Sequence, residues 1–159
     1  MKIIGIDPGY DRLGIAVIEK TKAGAGKEIL LYSSCFKTSA KDTIYERFGL
    51  ISKEISHVLD EYEPDAMALE TLFIDTNKKT GMRVAEARGI IIIEGIKRKI
   101  PIHEYSPMSV KMAVTGDGTS DKARMTKMVK LLIKMSDKET IDDEYDAVAV
   151  ALTHAATAR

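Results

Sequence analysis

The order of the apolar segments predicts an α/β protein built on a mixed five-stranded sheet flanked by helices. Short apolar runs bounded by turn residues indicate strands, whereas apolar residues that recur at three- and four-residue steps indicate amphipathic helices. These patterns give the order βββ-α-β-α-β-α-α-α. Strands joined by short turns run antiparallel and strands joined through a helix run parallel, so we expect three antiparallel strands followed by parallel ones.

Three predicted strands open the chain. Lys2–Asp7 is a short apolar run that ends in the turn signal Asp-Pro-Gly, and Gly14–Glu19 follows it as a second strand. The glycine-rich composition of residues 22–27 predicts a turn, after which Glu28–Phe36 is apolar enough to be a third strand. We therefore expect the first two strands to form a hairpin and the third to extend it.

Helices and strands alternate in the remainder of the chain. The apolar residues of 41–62 recur at helical steps, and Pro64 ends this helix. Ala66–Leu72 is a buried strand with Glu70 near its end. The other predicted elements are the helix Asn77–Lys99, the strand Pro101–Tyr105, a helix that begins after the capping Ser106, the helix Asp121–Met135 and a helix from about Ile141 to Ala156. No repeat or change of composition divides them, so we expect one domain spanning residues 1–159.

Composition excludes several classes of protein. The single cysteine, Cys35, cannot form an internal disulfide, and a hydrophobic fraction of 45% argues against a disordered chain. The first seven residues contain Lys2 and Asp7, and the apolar run Ile90–Ile93 is too short to cross a bilayer. We therefore expect a cytoplasmic protein with no membrane partner. Cys35 adjoins Phe36 in a predicted strand with no evident catalytic company, so we interpret it as a small packed residue.

Charge is distributed unevenly, although 24 basic and 24 acidic side chains give a net charge of zero. Residues 76–134 contain 13 basic and 5 acidic side chains, a net charge of +8, which leaves −8 on the remainder. Such asymmetry suggests a nucleic acid or another polyanion as a partner. A solvated basic helix face, such as that of Lys127, Lys130 and Lys134, would produce the same pattern.

Acidic residues at the ends of predicted elements are the candidates for chemistry. Asp7 and Glu70 each end an apolar strand, where an ionised carboxylate costs free energy unless it has a partner or a cation. Asp143 and Asp146 lie three residues apart on one face of the last predicted helix. Asp142 shares a face with Asp146 at four residues, so spacing alone does not choose between Asp142 and Asp143. Taken alone, such a pair is also explained by helix capping.

Four carboxylates without histidine or cysteine form a hard oxygen ligand set that suits Mg²⁺ or Mn²⁺. Two such ions, about 3.5 to 4 Å apart, activate water and stabilise the transition state of phosphodiester hydrolysis. We therefore expect a two-metal nuclease with Mg²⁺ as cofactor and Mn²⁺ as a substitute. The basic segment would hold the DNA backbone against this acidic centre.

Five segments follow one another in the order of a known family pattern. They are GIDPG at 5–9 with LGIAV at 13–17, LETLF at 69–73, ARG at 87–89, VKMAVTG at 110–116, and DEYDAVA at 143–149 with His154. Together they resemble the RuvC family of bacterial Holliday junction resolvases, and the resemblance extends from residue 3 to residue 154.

This resemblance implies a ribonuclease H-like fold and a homodimer that nicks four-way DNA junctions symmetrically with Mg²⁺, in DNA recombination and repair. It assigns Asp7, Glu70, Asp143 and Asp146 as the catalytic acids and metal ligands, and it thereby prefers Asp143 to Asp142. The RuvA–RuvB branch-migration complex is a further partner that the resemblance suggests.

The resemblance also assigns basic and aromatic residues. Lys111 and Lys122 match basic residues that serve DNA contact and catalysis, and Phe73 matches an aromatic that lies against the junction. The basic segment adds further candidate DNA contacts, namely Lys78, Lys79, Arg83, Arg88 and Arg124. Departures from the family pattern at Ser120, Arg124, Met125 and Glu86 leave the preferred cleavage sequence open.

Two further features bear on assembly and ligation. The predicted helix Asn77–Lys99 has an apolar surface too wide for one stripe, so we expect it to pack on the sheet and on a second copy, as a twofold dimer. His154 lies eight residues beyond Asp146, about two helical turns, so we interpret it as a packing or capping residue.

Three other functions stay open on sequence alone. A ribonuclease H-like nuclease acting on RNA or on non-junction DNA would share the fold. An ATP-binding domain of the sugar-kinase type also places Asp and Gly after its first strand, but it needs two copies of the core. A catalytically silent junction-binding protein gives no reason for Glu70 to end an apolar strand.

Overall fold

The computed structural model describes residues 1–21, 28–72, 78–135 and 141–158, apart from the side chains of residues 78 and 79. The predicted order of strands and helices is confirmed. The elements are β1 (Lys2–Asp7), β2 (Arg12–Glu19), β3 (Ile29–Lys37), α1 (Ile44–Tyr62), β4 (Ala66–Glu70), α2 (Lys78–Lys97), β5 (Ile102–Tyr105), α3 (Pro107–Thr115), α4 (Lys122–Leu132) and α5 (Asp142–Thr157).

The ends of several elements differ from the predicted ends for local reasons. Helix α1 begins at Ile44 rather than near residue 41, because Thr43 and Glu46 form a reciprocal capping box. Helix α3 begins after Ser106 as predicted, since the Ser106 hydroxyl accepts a hydrogen bond from the amide of Ser109. Strand β2 begins two residues earlier than predicted, at Arg12, because Arg12 pairs with Lys37 of β3.

The five strands form one mixed sheet in the order β3-β2-β1-β4-β5. The pairs β1–β2 and β2–β3 are antiparallel, whereas β1–β4 and β4–β5 are parallel, which confirms the predicted sheet. Ile6 of β1 is paired with Leu69 of β4. The residues that follow, Asp7 and Glu70, therefore lie side by side at the carboxyl ends of neighbouring parallel strands.

Each face of the sheet has its own apolar core. Ile4 and Ile6 belong to a cluster with residues of α1 and α2, whereas Ile3 belongs to a cluster with residues of α3, α4 and α5. Side chains alternate between the two faces along a strand, so the apolar run of β1 serves both clusters.

Two glycines allow α5 to lie unusually close to the sheet. A Cβ atom on Gly5 would stand 2.3 Å from the carbonyl oxygen of Ala147, and one on Gly14 would stand 2.1 Å from that of Asp143. Any larger residue would force the helix away. Gly14 thereby fixes the first turn of α5 against β2, next to the end of β1.

Helix α2 has apolar side chains on two sides, as predicted. Ala87 and Ile91 are buried in the core, whereas Met82, Ile93 and Ile96 are 63%, 44% and 54% exposed. The exposed group is the surface for which the sequence predicts a second copy as partner. Over the part of the chain that the structure describes, no helix has the length and apolar character needed to span a membrane.

Candidate active site

An acidic cleft opens at the carboxyl ends of β1 and β4. It has a volume of about 280 Å³, and residues from two strands and three helices surround it. The lining residues are Asp7, Glu70, Pro107, Val110, Lys111, Lys122, Met125 and Asp146. Three of the four predicted acids and both lysines assigned to catalysis or DNA contact therefore face one space.

Asp7 and Glu70 form the floor of the cleft, and both hold protons unusually tightly. Burial, followed by the negative charges of Glu70, Asp146 and Asp143, raises the pKa of Asp7 from 3.8 to about 7. Burial and the charge of Asp146 raise the pKa of Glu70 from 4.5 to about 7, against the opposing charge of Lys111. The two strand ends thus hold carboxylates whose negative charge is compensated only in part by Lys122 and Lys111.

Asp146 reaches the cleft from the second turn of α5. Its Oδ2 atom lies 3.5 Å from the ammonium of Lys122, which also lies 3.2 Å from Oδ2 of Asp142. Burial raises the pKa of Asp146, and the charge of Lys122 opposes that rise. Lys122 therefore compensates part of the negative charge on the open side of the cleft.

Asp143 is close to the cleft, but its carboxylate contacts other residues. Its charge contributes to the raised pKa of Asp7. Its Oδ2 atom lies 3.5 Å from Nη1 of Arg12 on β2 and accepts a hydrogen bond of 3.7 Å from the thiol of Cys35 on β3. The Asp143 side chain is 17% exposed, whereas that of Asp142 is 63% exposed and contacts Lys122.

The described side chains of the cleft carry the oxygen donors that a divalent metal prefers, but they are not grouped closely enough to hold an ion as they stand. The donors are carboxylate oxygens, and the raised pKa values of Asp7 and Glu70 mark negative charge that a cation would neutralise. Within the described ranges, no three histidine, cysteine, aspartate or glutamate side chains are grouped closely enough to hold an ion as they stand.

Arg83 and Arg88, two of the predicted DNA contacts on α2, each form an ion pair with a glutamate but differ in exposure. Arg83 forms an exposed ion pair with Glu86 at 2.8 Å. Arg88 is only 19% exposed and pairs with Glu104. Phe73 lies outside the described residues, as do the side chains of Lys78 and Lys79.

Arg124, the last of the predicted DNA contacts, lies in the first turn of α4, two residues after Lys122. Its guanidinium is 3.2 Å from the carboxylate of Asp117, in the loop between α3 and α4. The pair is exposed, so a phosphate group can compete for the guanidinium.

Cys35 and Arg12 are the neighbours of the site that sequence reasoning missed. Sequence reasoning found no catalytic neighbour for Cys35, whereas in the structure its thiol contacts the predicted ligand Asp143. Both residues lie on strands more than 100 positions before Asp143, and no local pattern reports such a contact.

The interpretation of His154 as a packing residue is confirmed. It is 4% exposed, and its ring packs against that of His103 with centroids 4.4 Å apart and an angle of 35° between the ring planes. The hydroxyl of Tyr105 lies 2.7 Å from its Nδ1 atom. These contacts anchor the end of α5 against β5, away from the acidic cleft.

The sheet topology and the carboxylate cleft define a nuclease of the ribonuclease H-like class. The sequence profile described as "Crossover junction endodeoxyribonuclease RuvC" matches residues 3–154. A curated protein of that name from Thermosipho melanesiensis is 43% identical over 152 residues, which cover 95% of this chain and 94% of the relative. The chain therefore belongs to the RuvC family of metal-dependent crossover junction endodeoxyribonucleases.

Solved structures agree with this assignment. The structure of Thermus thermophilus RuvC is 33% identical, with a TM-score of 0.91 and coverage of 100% of this chain and 96% of that one. A second structure, Thermus thermophilus RuvC in complex with a Holliday junction substrate, has a TM-score of 0.89, 33% identity and coverage of 98% and 93%.

Proposed function

We propose that this protein is a Holliday junction resolvase that hydrolyses two opposed strands of a four-way DNA junction at symmetric positions. The observation that carries the proposal is the cleft itself, in which Asp7, Glu70 and Asp146 converge opposite Lys111 and Lys122. Membership of the RuvC family supports it, since Thermus thermophilus RuvC has been solved with a Holliday junction substrate.

Mg²⁺ is the proposed cofactor, with two ions in each site and Mn²⁺ as a substitute. Asp7, Glu70, Asp143 and Asp146 would hold the metal through carboxylate oxygens. Bound divalent ions supply an activated water and stabilise the charge that develops on the phosphodiester.

The chain's own residues supply the remaining electrostatics. Burial makes the ionised forms of Asp7 and Glu70 unfavourable without a cation, so a bound divalent ion would stabilise these two carboxylates. Lys111 lies in the wall of the cleft, where its charge acts on Glu70. We assign it to the scissile phosphate, whose negative charge it would offset against the acidic floor.

Lys122 has a second role in this scheme. Its ammonium bridges Asp142 and Asp146 at 3.2 and 3.5 Å, so it is held at the rim of the cleft. A DNA phosphate in the cleft would lie near this ammonium as well as near the acids, because both line the same space. We therefore assign Lys122 to DNA binding together with Arg124, Arg83, Arg88, Lys78, Lys79 and Phe73.

A twofold homodimer is the proposed assembly. The exposed Met82, Ile93 and Ile96 form an apolar surface on α2 that a second copy would cover. Two cleavage sites related by a twofold axis match the symmetry of a four-way junction. The proposal treats residues 1–159 as one nuclease domain, with the RuvA–RuvB branch-migration complex as a further partner.

The decisive experiment maps cleavage of a synthetic four-way junction whose strands are labelled one at a time. With Mg²⁺ we expect nicks at symmetric positions in two opposed strands, each leaving a 5′-phosphate and a 3′-hydroxyl. Asp7→Asn and Glu70→Gln should bind the junction without cutting it, whereas Lys53→Gln on the exposed side of α1 should cut normally. Equal or faster cutting of linear duplex or single-stranded RNA would overturn the proposal in favour of a different nuclease.

A further inference from the structure

Asp143 is the one predicted metal ligand whose carboxylate does not line the cleft. The backbone at this position has little freedom, because a Cβ atom on Gly14 would stand 2.1 Å from the carbonyl oxygen of Asp143. Only the side chain can turn. What holds the side chain therefore decides whether the fourth carboxylate is available to a metal ion.

Two residues hold the Asp143 carboxylate, and they act on the same atom. Oδ2 lies 3.5 Å from Nη1 of Arg12 and 3.7 Å from the Cys35 sulfur, which donates a thiol hydrogen bond. A thiol is a weak donor, so the guanidinium is the stronger of the two partners. Arg12 and Cys35 belong to paired strands, β2 and β3, outside the group of elements that line the cleft.

The Arg12–Asp143 ion pair is weak enough for a bound metal ion to break it. Arg12 is 58% exposed, and an ion pair this accessible to water is weak because water and salt compete for both charges. A divalent cation in the neighbouring cleft attracts the Asp143 carboxylate more strongly than one partly solvated guanidinium does.

We propose that Arg12 is a positioning residue that holds the Asp143 carboxylate out of the metal site, so that metal binding must break this ion pair. The inference rests on the proposed function, because it takes Asp143 to be a metal ligand. Arg12 then lowers the affinity of the free enzyme for metal and keeps the four-carboxylate site incomplete until an ion arrives.

Metal affinity without DNA is the direct test. Isothermal titration of Mg²⁺ and Mn²⁺ into the wild type and Arg12→Gln should give a dissociation constant about two- to fivefold lower in the variant, the factor expected from an exposed ion pair. Lys53→Gln, which removes one exposed positive charge from α1 on the other face of the sheet, should leave the constant unchanged. An unchanged or higher constant in Arg12→Gln would overturn the inference.

A double-mutant cycle distinguishes an effect of Arg12 through its contact with Asp143 from a long-range effect of its charge. In an Asp143→Asn background, Arg12→Gln should no longer change Mn²⁺ affinity, since Arg12 acts through the Asp143 carboxylate. The same factor in both backgrounds would mean that Arg12 acts by charge at a distance, and the inference would be wrong.

The outcome is distinguishable from a failure of the proposed function. If the wild type binds Mg²⁺ and cuts the junction while Arg12→Gln titrates like the wild type, only the inference about Arg12 fails. If the wild type neither binds the ion nor cuts a junction, the proposed function fails as well.

Discussion

Lys122 of α4 places its ammonium 3.5 Å from the carboxylate of Asp146 on α5, so the acidic cleft includes a cation of its own. The same ammonium lies 3.2 Å from Asp142. In contrast, Asp7 and Glu70 are deep in the cleft, where their pKa values are raised to about 7. The negative charge at the rim is therefore compensated by direct contact with Lys122, whereas Lys122 and Lys111 compensate the charge of Asp7 and Glu70 only in part.

Replacing Lys122 should weaken both the fold and DNA binding. In the metal-free protein, Lys122→Gln removes the ion pairs of Lys122 with Asp142 and Asp146. We expect the free energy of unfolding to fall by up to about 1 kcal/mol, because the lysine is partly exposed. Urea unfolding in EDTA measures this loss. Junction affinity measured against salt concentration should show a slope smaller by about 0.9, the value for one phosphate contact. An unchanged slope would remove Lys122 from the DNA interface.

Replacing Asp7 should stabilise the metal-free protein while it abolishes cleavage. Asp7→Asn removes a buried carboxylate whose pKa is raised by burial and by Glu70, Asp146 and Asp143. At pH 8 we expect a gain on the order of a few kcal/mol in the free energy of unfolding in EDTA. The variant should lose most of the stabilisation that Mg²⁺ gives the wild type. A less stable Asp7→Asn protein would contradict this account of the cleft.

Stability without metal should depend on pH through the same two acids. Asp7 and Glu70 have pKa values of about 7 in the folded chain and 3.8 and 4.5 ordinarily, so the folded state binds protons more tightly. Their stabilising contribution is complete below about pH 4 and is lost as the pH rises through 7. Melting temperatures of the wild type minus those of an Asp7→Asn and Glu70→Gln double variant, both in EDTA, should fall over this range.

Added Mg²⁺ should reverse that loss. A metal ion binds the ionised carboxylates and competes with protons, so Mg²⁺ should raise the melting temperature more at pH 8 than at pH 5. Equal shifts at the two pH values would argue against ligation by Asp7 and Glu70.

Substitution of Gly14 by alanine should disturb the packing of α5 on the sheet and destabilise the protein, whereas the same substitution at a glycine with open space around it should not. A methyl group at Gly14 would meet the Asp143 carbonyl at 2.1 Å, so Gly14→Ala should cost about 1 to 3 kcal/mol or more and displace Asp143. Gly49 on α1 has open space around its Cβ position, so Gly49→Ala should stabilise the protein by up to about 1 kcal/mol. Chemical denaturation compares the two variants, and similar effects would contradict the close approach of α5.

The exposed apolar surface of α2 should govern assembly. Replacing Ile93 and Ile96 together by glutamate should convert a dimer into monomers in analytical ultracentrifugation, because two charges would be buried at the contact. Leu50→Glu on α1, a similarly exposed apolar position, should leave the mass unchanged. In the monomeric variant the two nicks in a junction should become independent. A wild-type monomer at micromolar concentration would argue against the dimer.

Local patterns were sufficient to predict the elements and the positions of two acids. The apolar runs before Asp7 and Glu70 predicted two strands, and the observed parallel pairing of Ile6 with Leu69 brings their carboxyl ends together. The capping residue Ser106 predicted the start of α3, because a cap acts on amides within the first helical turn. The convergence of Asp7, Glu70 and Asp146 on one cleft follows from these local features once the sheet order is known.

Only the tertiary structure decided which residues Asp142 and Asp143, in the first turn of α5, contact. Helical spacing places Asp142 and Asp143 equally well relative to Asp146, because it specifies which residues share a face but not how the helix is rotated against the sheet. That rotation depends on close approach at Gly5 and Gly14, which turns Asp143 toward Arg12 and Cys35 and leaves Asp142 exposed beside Lys122. These contacts join residues that are distant in the chain, and no short-range pattern encodes them.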